Sequence, residues 1–171
     1  MRLFDLFTGR RAPTPGAARK DAADLRAALL GLDRETSPVT VRDGAPEGCD
    51  LVAEWRVVDA RWVETFAKAG LSKVAQVLMR LDVGKAEVRS VMRDWTVEWR
   101  AGVPGLSLSA EAFRGQKVEM SFGKAFAFRE EDLSLGKVYD WRFDTRALKG
   151  PLQETVAASG WAWRPVAFGR L

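Results

Sequence analysis

The chain has 171 residues, of which 47% are hydrophobic and 29% are charged, and a chain of this size can fold around its own core without disulfides or metal ions. It contains no histidine and a single cysteine, Cys49. These counts exclude an intramolecular disulfide, an imidazole general base and an ordinary zinc site. No apolar run reaches the roughly 18 residues that a membrane-spanning helix needs. The lone cysteine, together with the lack of a secretory signal, predicts a cytoplasmic protein.

The net charge of +4 belongs to the start of the chain. Residues 1–20 hold five basic residues and one acid, whereas the remainder holds 22 basic and 22 acidic residues. A body without net charge exerts no long-range attraction on a polyanion. The sequence therefore disfavours nucleic acid as a partner.

Residues 1–16 are predicted to form a flexible or docking tail, and residues 17–171 a single globular domain. The tail combines apolar side chains with arginines, and together these form a candidate site for docking to a membrane or a partner: Leu3, Phe4, Leu6, Phe7, Arg10 and Arg11. Two interpretations stay open. The apolar residues dock on the body or fray, or they enter a lipid interface while the arginines meet the headgroups.

The first predicted helix covers residues 17–32, where apolar residues recur at helical spacing, with Thr14 and Pro15 as its cap and first turn. Two strands are predicted after it, over residues 38–42 and 51–57.

Helical spacing returns over residues 60–81, where Gly70 is expected to split or kink the helix and Ser72 to cap its second half. Residues 73–81 also fit a strand. The sequence leaves that choice open.

From residue 86 to residue 144 the pattern favours successive antiparallel strands. Arg93 and Asp94 are predicted to form a hairpin turn, and GVPG at residues 102–105 another turn.

The end of the chain predicts a short helix and a last strand. Pro151 suits a first helical position and Gly160 the position after the last turn, which predicts a helix over residues 151–159. GWAWRPVAF follows as the final strand.

The predicted fold class is α+β, with one antiparallel, barrel-like sheet of six to eight strands. It has an N-terminal helix, a helix near residues 60–80 and a short helix near residues 151–159. The order of elements resembles the barrel-with-helix folds of tubby-like proteins in strand count alone. That resemblance implies no function and no site residue.

Four of the seven tryptophans are followed directly by arginine: Trp55–Arg56, Trp99–Arg100, Trp141–Arg142 and Trp163–Arg164. Neighbouring residues on a strand point to opposite faces, so burial of the tryptophan places the arginine on the outer face, together with the acid that precedes three of these pairs. The structural interpretation is a charged face that maintains solubility and register. In the functional interpretation, Arg56, Arg100, Arg142 and Arg164 converge on an anionic ligand.

The other candidate sites are explained more simply without a functional role. Cys49 lies beside Glu47 and Asp50, which would raise its pKa, so it is expected to be inert. The acidic run at residues 130–132 could ligate a hard cation, but its spacing matches no known loop. No metal site, cofactor or catalytic residue is predicted.

The sequence predicts a non-catalytic cytoplasmic binding or scaffold module for a protein partner, peripheral to a membrane surface if residues 1–11 anchor it. The alternative is a barrel that binds a small anionic ligand, or a carboxylate-based enzyme, through the Arg/acid face. A flat face favours the first prediction and a concave one the second.

Overall fold

A computed structural model describes residues 9–57, 59, 61–68, 73–101, 103–108, 126–129, 138–141, 145–166 and 171. This part of the chain contains the helices α1 (Ala22–Leu30), α2 (Val63–Lys68) and α3 (Thr145–Ala158). Its strands are β1 (Val39–Asp43), β2 (Leu51–Trp55), β3 (Lys73–Asp82), β4 (Glu87–Arg100), β5 (Val103–Leu108), β6 (Phe126–Arg129), β7 (Val138–Trp141) and β8 (Ala162–Pro165). A 3-10 helix, Ala45–Glu47, joins β1 to β2. The predicted mixed α+β class is confirmed.

Six strands form one open sheet in the order β1-β2-β3-β4-β5, with β8 also paired to β4. Every pair in this sheet is antiparallel except β4–β8, which is parallel. The long β4 has two neighbours along one edge, since β8 pairs with its first four residues and β5 with its last six. β6 and β7 form a separate antiparallel pair. Within the described strands the main sheet does not close, so the barrel prediction is not confirmed.

Residues 73–81, which the sequence left open between helix and strand, form a strand. Residues 73–82 form the central strand between β2 and β4, and residues 74–79 are all buried. A strand covered on both faces shows a continuous apolar run instead of alternation, and such a run resembles a buried helix. The helix in this region is confined to α2, while Gly70 and Ser72 lie outside the described residues.

The predicted hairpin turn at Arg93 and Asp94 is wrong, because both residues lie inside β4. Asp94 is only 1% exposed and lies opposite Ala75 of β3. The chain turns instead at Ala86 and Ala101, which have positive φ angles of 53° and 50°. Local turn propensity at an Arg-Asp pair is therefore overridden by burial of the strand.

The predicted turn at residues 102–105 is also incorrect in large part, because Val103, Pro104 and Gly105 begin β5. The carbonyl of Ser90 accepts a hydrogen bond from the N–H of Val166, which follows β8. The even-numbered residues of β4 therefore direct their N–H and C=O groups toward the edge that β8 and β5 share. Pro104 lies opposite Trp99, an odd-numbered residue whose backbone groups point the other way. The side on which Pro104 lacks an N–H is therefore the side away from β4. An edge strand tolerates proline in that orientation.

α1 is shorter than the helix predicted over residues 17–32. Asp21 caps it, since its carboxylate accepts a hydrogen bond from the backbone N–H of Asp24 at 2.8 Å. Leu25 and Leu29 are fully buried, as their spacing predicted.

α3 begins before the predicted first position, Pro151, which lies inside the helix. Proline removes one helical hydrogen bond and costs about 3 kcal/mol in a helix interior. Leu148, Leu152 and Val156 are at most 1% exposed. Burial of each stabilises the fold by about 1.5–3 kcal/mol, so packing outweighs the proline.

The end of α3 agrees with the prediction. Gly160 has a φ angle of 74°, and the N–H of Trp161 donates to the carbonyl of Val156 at 3.1 Å. A Cβ atom on Gly160 would lie 2.7 Å from the Cα atom of Arg19. The position requires glycine for its backbone angle and for the close approach of the N-terminal segment.

That N-terminal segment, residues 9–21, lies against α3 and β8. Arg11 and Trp163 exchange two backbone hydrogen bonds of 3.1 and 2.8 Å in an antiparallel bridge. Trp161 donates its indole N–H to the carbonyl of Lys20 at 2.8 Å. The second half of the predicted tail is therefore docked on the body.

The main core lies between α1, α3 and one face of the sheet, and α2 adds aromatic side chains at one end. Its largest members are tryptophans and a phenylalanine with at most 6% exposure: Trp55, Trp62, Phe66, Trp161 and Trp163. The predicted burial of Trp55 is confirmed. Trp99 is only half-buried, and the side chain of Trp141 lies outside the described residues.

Candidate functional site

The face of the sheet opposite α1 and α3, here called the outer face, is charged along its described strands. Glu54 of β2, Gln76 of β3 and Arg93 of β4 lie directly opposite one another on it. Directly opposed residues share a face. Leu78, on the same face, is nevertheless buried, so polar and apolar patches alternate there.

A polar network joins Arg42 of β1 to the middle of this face. Arg42 donates to the carboxylates of Glu54 at 2.8 Å and Glu47 at 3.0 Å. Gln76 donates to Glu54 at 2.6 Å and accepts from the indole N–H of Trp95 at 3.3 Å. The hydrogen bonds from Arg42 lower the pKa of Glu47, and those to both acids raise the pKa of Arg42. Arg42 therefore holds Glu47 in its ionised form and ties Glu54 into the network, a structural role for both acids.

Arg93 borders this network. Its Nε atom is buried and has no hydrogen-bond partner among the described residues. The positive charge contributes to the lowered pKa of Glu47. Arg93 therefore adds a second positive charge beside Arg42 at the edge of the network.

A second feature of the outer face is a line of arginines across neighbouring strands. Arg80 of β3 lies opposite Arg89 of β4, and Arg89 lies beside Arg164 of β8. The antiparallel bridge at Arg11 places Arg10 beside Arg164. Adjacent strands are about 4.8 Å apart, so these four residues, the arginine row, span about 14 Å.

The members of the arginine row make different contacts. Arg80 donates to two backbone oxygens, one of them that of Leu171 at 2.7 Å. Arg164 pairs with Glu87 at 3.3 Å, and Arg10 is exposed. Like charges at opposed strand positions repel each other. The row therefore concentrates positive charge at some cost in stability.

The structure places the three described arginines of the ligand-binding hypothesis far apart or in separate contacts. Arg164 lies beside Arg89, eleven residues before Arg100 along β4, which is about 36 Å at the rise of a strand. Arg100 is 88% exposed and pairs with Glu98 at 3.5 Å, the pairing that its motif predicts. Arg142 lies outside the described residues.

Arg56 has a structural role at the end of β2. Its guanidinium forms ion pairs with Asp33 and with Asp59, the latter at 3.6 Å, and its Nε atom donates to the carbonyl of Ser37 at 3.0 Å. It does not pair with Glu54, the acid of its own motif, in any described contact. Arg56 thus fastens the loop before β1 to the end of β2.

The docking hypothesis for the tail involves six residues, of which Leu3, Phe4, Leu6 and Phe7 lie outside the described residues. Arg10 and Arg11 are both exposed. Arg10 thereby joins Arg164, a residue that the sequence assigned to a different candidate site. Sequence reasoning missed Arg80 and Arg89, because their alignment depends on a strand register that no local pattern reveals.

Cys49 is buried and unpaired. Burial raises the pKa of its thiol, and the nearby charges of Glu47 and Asp50 raise it further. A protonated, buried thiol is a poor nucleophile.

Exposed apolar side chains mark the end of the β4–β5 hairpin, here called the hairpin end, residues 98–101 and 103–106. Val103 is 66% exposed and Leu106 is 43% exposed. By strand alternation they lie on opposite faces of β5. Both sides of this strand therefore offer apolar surface to solvent.

Within the part of the chain that the structure describes, no three histidine, cysteine or acidic side chains cluster as metal ligands would. No helix in that part is long and apolar enough to cross a bilayer. Comparisons of the chain with protein-family models, with curated proteins and with solved structures gave no match.

Proposed function

We propose that the chain is a non-catalytic binding module of the cytoplasm that engages a protein partner through the hairpin end. The observation that carries this proposal is the exposure of Val103 and Leu106 on β5, which lies at the edge of the sheet in its described strands. Protein partners bury such side chains at the centre of an interface.

The ion pairs that carboxylates form with arginines support a non-catalytic role. The acids of the outer-face network are held by Arg42, and Glu87 pairs with Arg164. A general base needs a carboxylate that is available to a substrate. These carboxylates instead stabilise the sheet.

The cytoplasmic location is supported by Cys49, which is buried as a free thiol. Attachment to a membrane through residues 1–11 is compatible with this function, because Arg10 and Arg11 are exposed on the same side of the body as β8.

Site-specific photo-crosslinking in the native cells tests the proposal. A benzophenone amino acid would replace Val103, Leu106 or, as a matched control, Val83, which is 55% exposed in the turn between β3 and β4. We expect one discrete protein adduct from positions 103 and 106 and none from position 83. The same adducts from all three positions, or none from the hairpin end, would contradict the proposal.

A further inference from the structure

We propose that the arginine row, formed by Arg10, Arg164, Arg89 and Arg80, binds the phosphate groups of an anionic lipid surface. The proposal rests on strand register and is independent of the hairpin end. Two neighbouring pairs are fixed by β-ladders, and Arg10 and Arg164 flank the β-bridge between Arg11 and Trp163. The row is therefore built by the fold rather than by chance side-chain positions.

The chemistry of guanidinium fits phosphate. Arginine presents several N–H donors in a planar fork that matches two oxygens of a phosphate group. At roughly 4.8 Å between strands, two neighbouring arginines can share one phosphate. Arg80 and Arg89 lie opposite each other, so an anion bound between them would meet two positive charges.

The length of the row favours a surface over a single small anion. One phosphate reaches at most two adjacent members, whereas the row extends about 14 Å across four segments. It lies on a sheet that is open in its described strands. Several phosphates presented side by side, as in a layer of lipid headgroups, engage the whole row.

A nucleic acid fits less well. A phosphodiester backbone that followed the row past Arg80 would approach Asp50, whose carboxylate accepts a hydrogen bond from the N–H of Leu81 at 2.7 Å. Glu87 lies two residues from Arg89 on the same face. Separate headgroups can each take a position between these carboxylates, whereas the phosphates of a polyanion are joined at a fixed spacing.

The test is co-sedimentation of the full chain with vesicles of phosphatidylcholine, with or without phosphatidylserine. The row variant carries Arg10→Gln and Arg164→Gln, and the matched control carries Arg61→Gln and Arg100→Gln, two exposed arginines outside the row. Each basic residue at an anionic surface strengthens partitioning about fivefold. We therefore expect about 25-fold weaker binding of the row variant, a control close to the native chain, and weaker binding at higher salt. Thermal melts monitored by circular dichroism establish that all variants fold.

Three results would overturn the proposal. Vesicles containing phosphatidylserine could fail to bind the native chain. The control variant could lose as much affinity as the row variant, which would show an effect of total charge alone. Calorimetric titration with inorganic pyrophosphate could show row-dependent binding without any binding to vesicles, which would assign the row to a soluble anion.

Discussion

The two ends of β4 use the same kinds of residue in different ways. Its first four residues lie between β3 and β8, and Arg89 there stands between two other arginines. Its last six residues pair with β5, and the chain ends this strand with exposed Glu98 and Arg100. The first region includes the Trp163–Arg164 motif of β8, and the second includes the Trp99–Arg100 motif of β4. Where β4 is paired on both edges, the tryptophan of the motif is buried in the core and its arginine belongs to the arginine row. At the projecting end of β4, the tryptophan is half-buried and its arginine is exposed.

The largest expected difference between the two regions is the cost of removing tryptophan. Trp163 of β8 is 1% exposed, whereas Trp99 is half-buried. Trp163→Ala should lower the free energy of unfolding by about 3–5 kcal/mol, and Trp99→Ala by clearly less. Urea denaturation of both variants measures this. An equal or larger loss from Trp99→Ala would contradict the burial of the first region.

The next effect concerns the close approach of the N-terminal segment beside β8. Gly160 and Gly16 have φ angles of 74° and 80°, but a Cβ atom meets backbone only at Gly160. The backbone angle alone costs about 1–2 kcal/mol for alanine, and overpacking adds about 1–3 kcal/mol. Gly160→Ala should therefore destabilise the protein more than Gly16→Ala in the same denaturation experiment. Equal losses would show that the N-terminal segment is not held there.

A moderate effect is expected from the polar network of the outer face. Arg42→Gln should cost about 1–2 kcal/mol at neutral pH, since solvent screening limits half-exposed pairs. Arg42 lowers the pKa of Glu47 in the folded state. This stabilisation is present above the ordinary glutamate pKa of about 4.3 and is lost as the pH falls through the lowered folded pKa.

Denaturation of the native and Arg42→Gln chains between neutral pH and about pH 3 measures this dependence. The difference in stability should shrink below about pH 4. Arg61→Gln, which removes an exposed pair with Glu35, serves as the control. A difference that stays constant with pH would mean that Arg42 acts through packing rather than charge.

The smallest effect is expected at the hairpin end. Arg100 is 88% exposed, and its pair with Glu98 is open to solvent. Arg100→Ala should change the free energy of unfolding by less than about 0.5 kcal/mol. A melting temperature that falls as far as for Trp163→Ala would show that the hairpin end is packed against the body.

Local sequence patterns predicted the parts of the fold that depend on neighbours in the chain. The spacing of Leu25 and Leu29, the alternation that buries Trp55 and the glycine stop at Gly160 all agree with the structure. The sequence could not decide between helix and strand for β3, because burial on both faces removes alternation. The sequence did not predict that β4 continues through Asp94, because the burial of Asp94 depends on residues far away in the chain.

The arginine row could not be predicted for the same reason. Its first pair depends on the turn between β3 and β4, its second on a parallel pairing between distant strands, and its third on one bridge at Arg11. Strand register is set by the packing of the whole sheet. The sequence could show only that arginine was abundant and that Arg164 and Arg10 each belonged to a candidate group.

A disulfide between two neighbouring members of the row, Arg10 and Arg164, tests the register of the row most directly. Arg10→Cys and Arg164→Cys would be combined with Cys49→Ala, oxidised and analysed by peptide mass spectrometry. These positions flank a bonded bridge pair, where the Cα atoms of the next residues lie about 4.5 Å apart, within disulfide range. We expect rapid formation of the bond, and none for Arg10→Cys with Arg80→Cys, about 14 Å apart across the row. Failure of the first pair, or equal bonding in both, would contradict the register on which the arginine row depends.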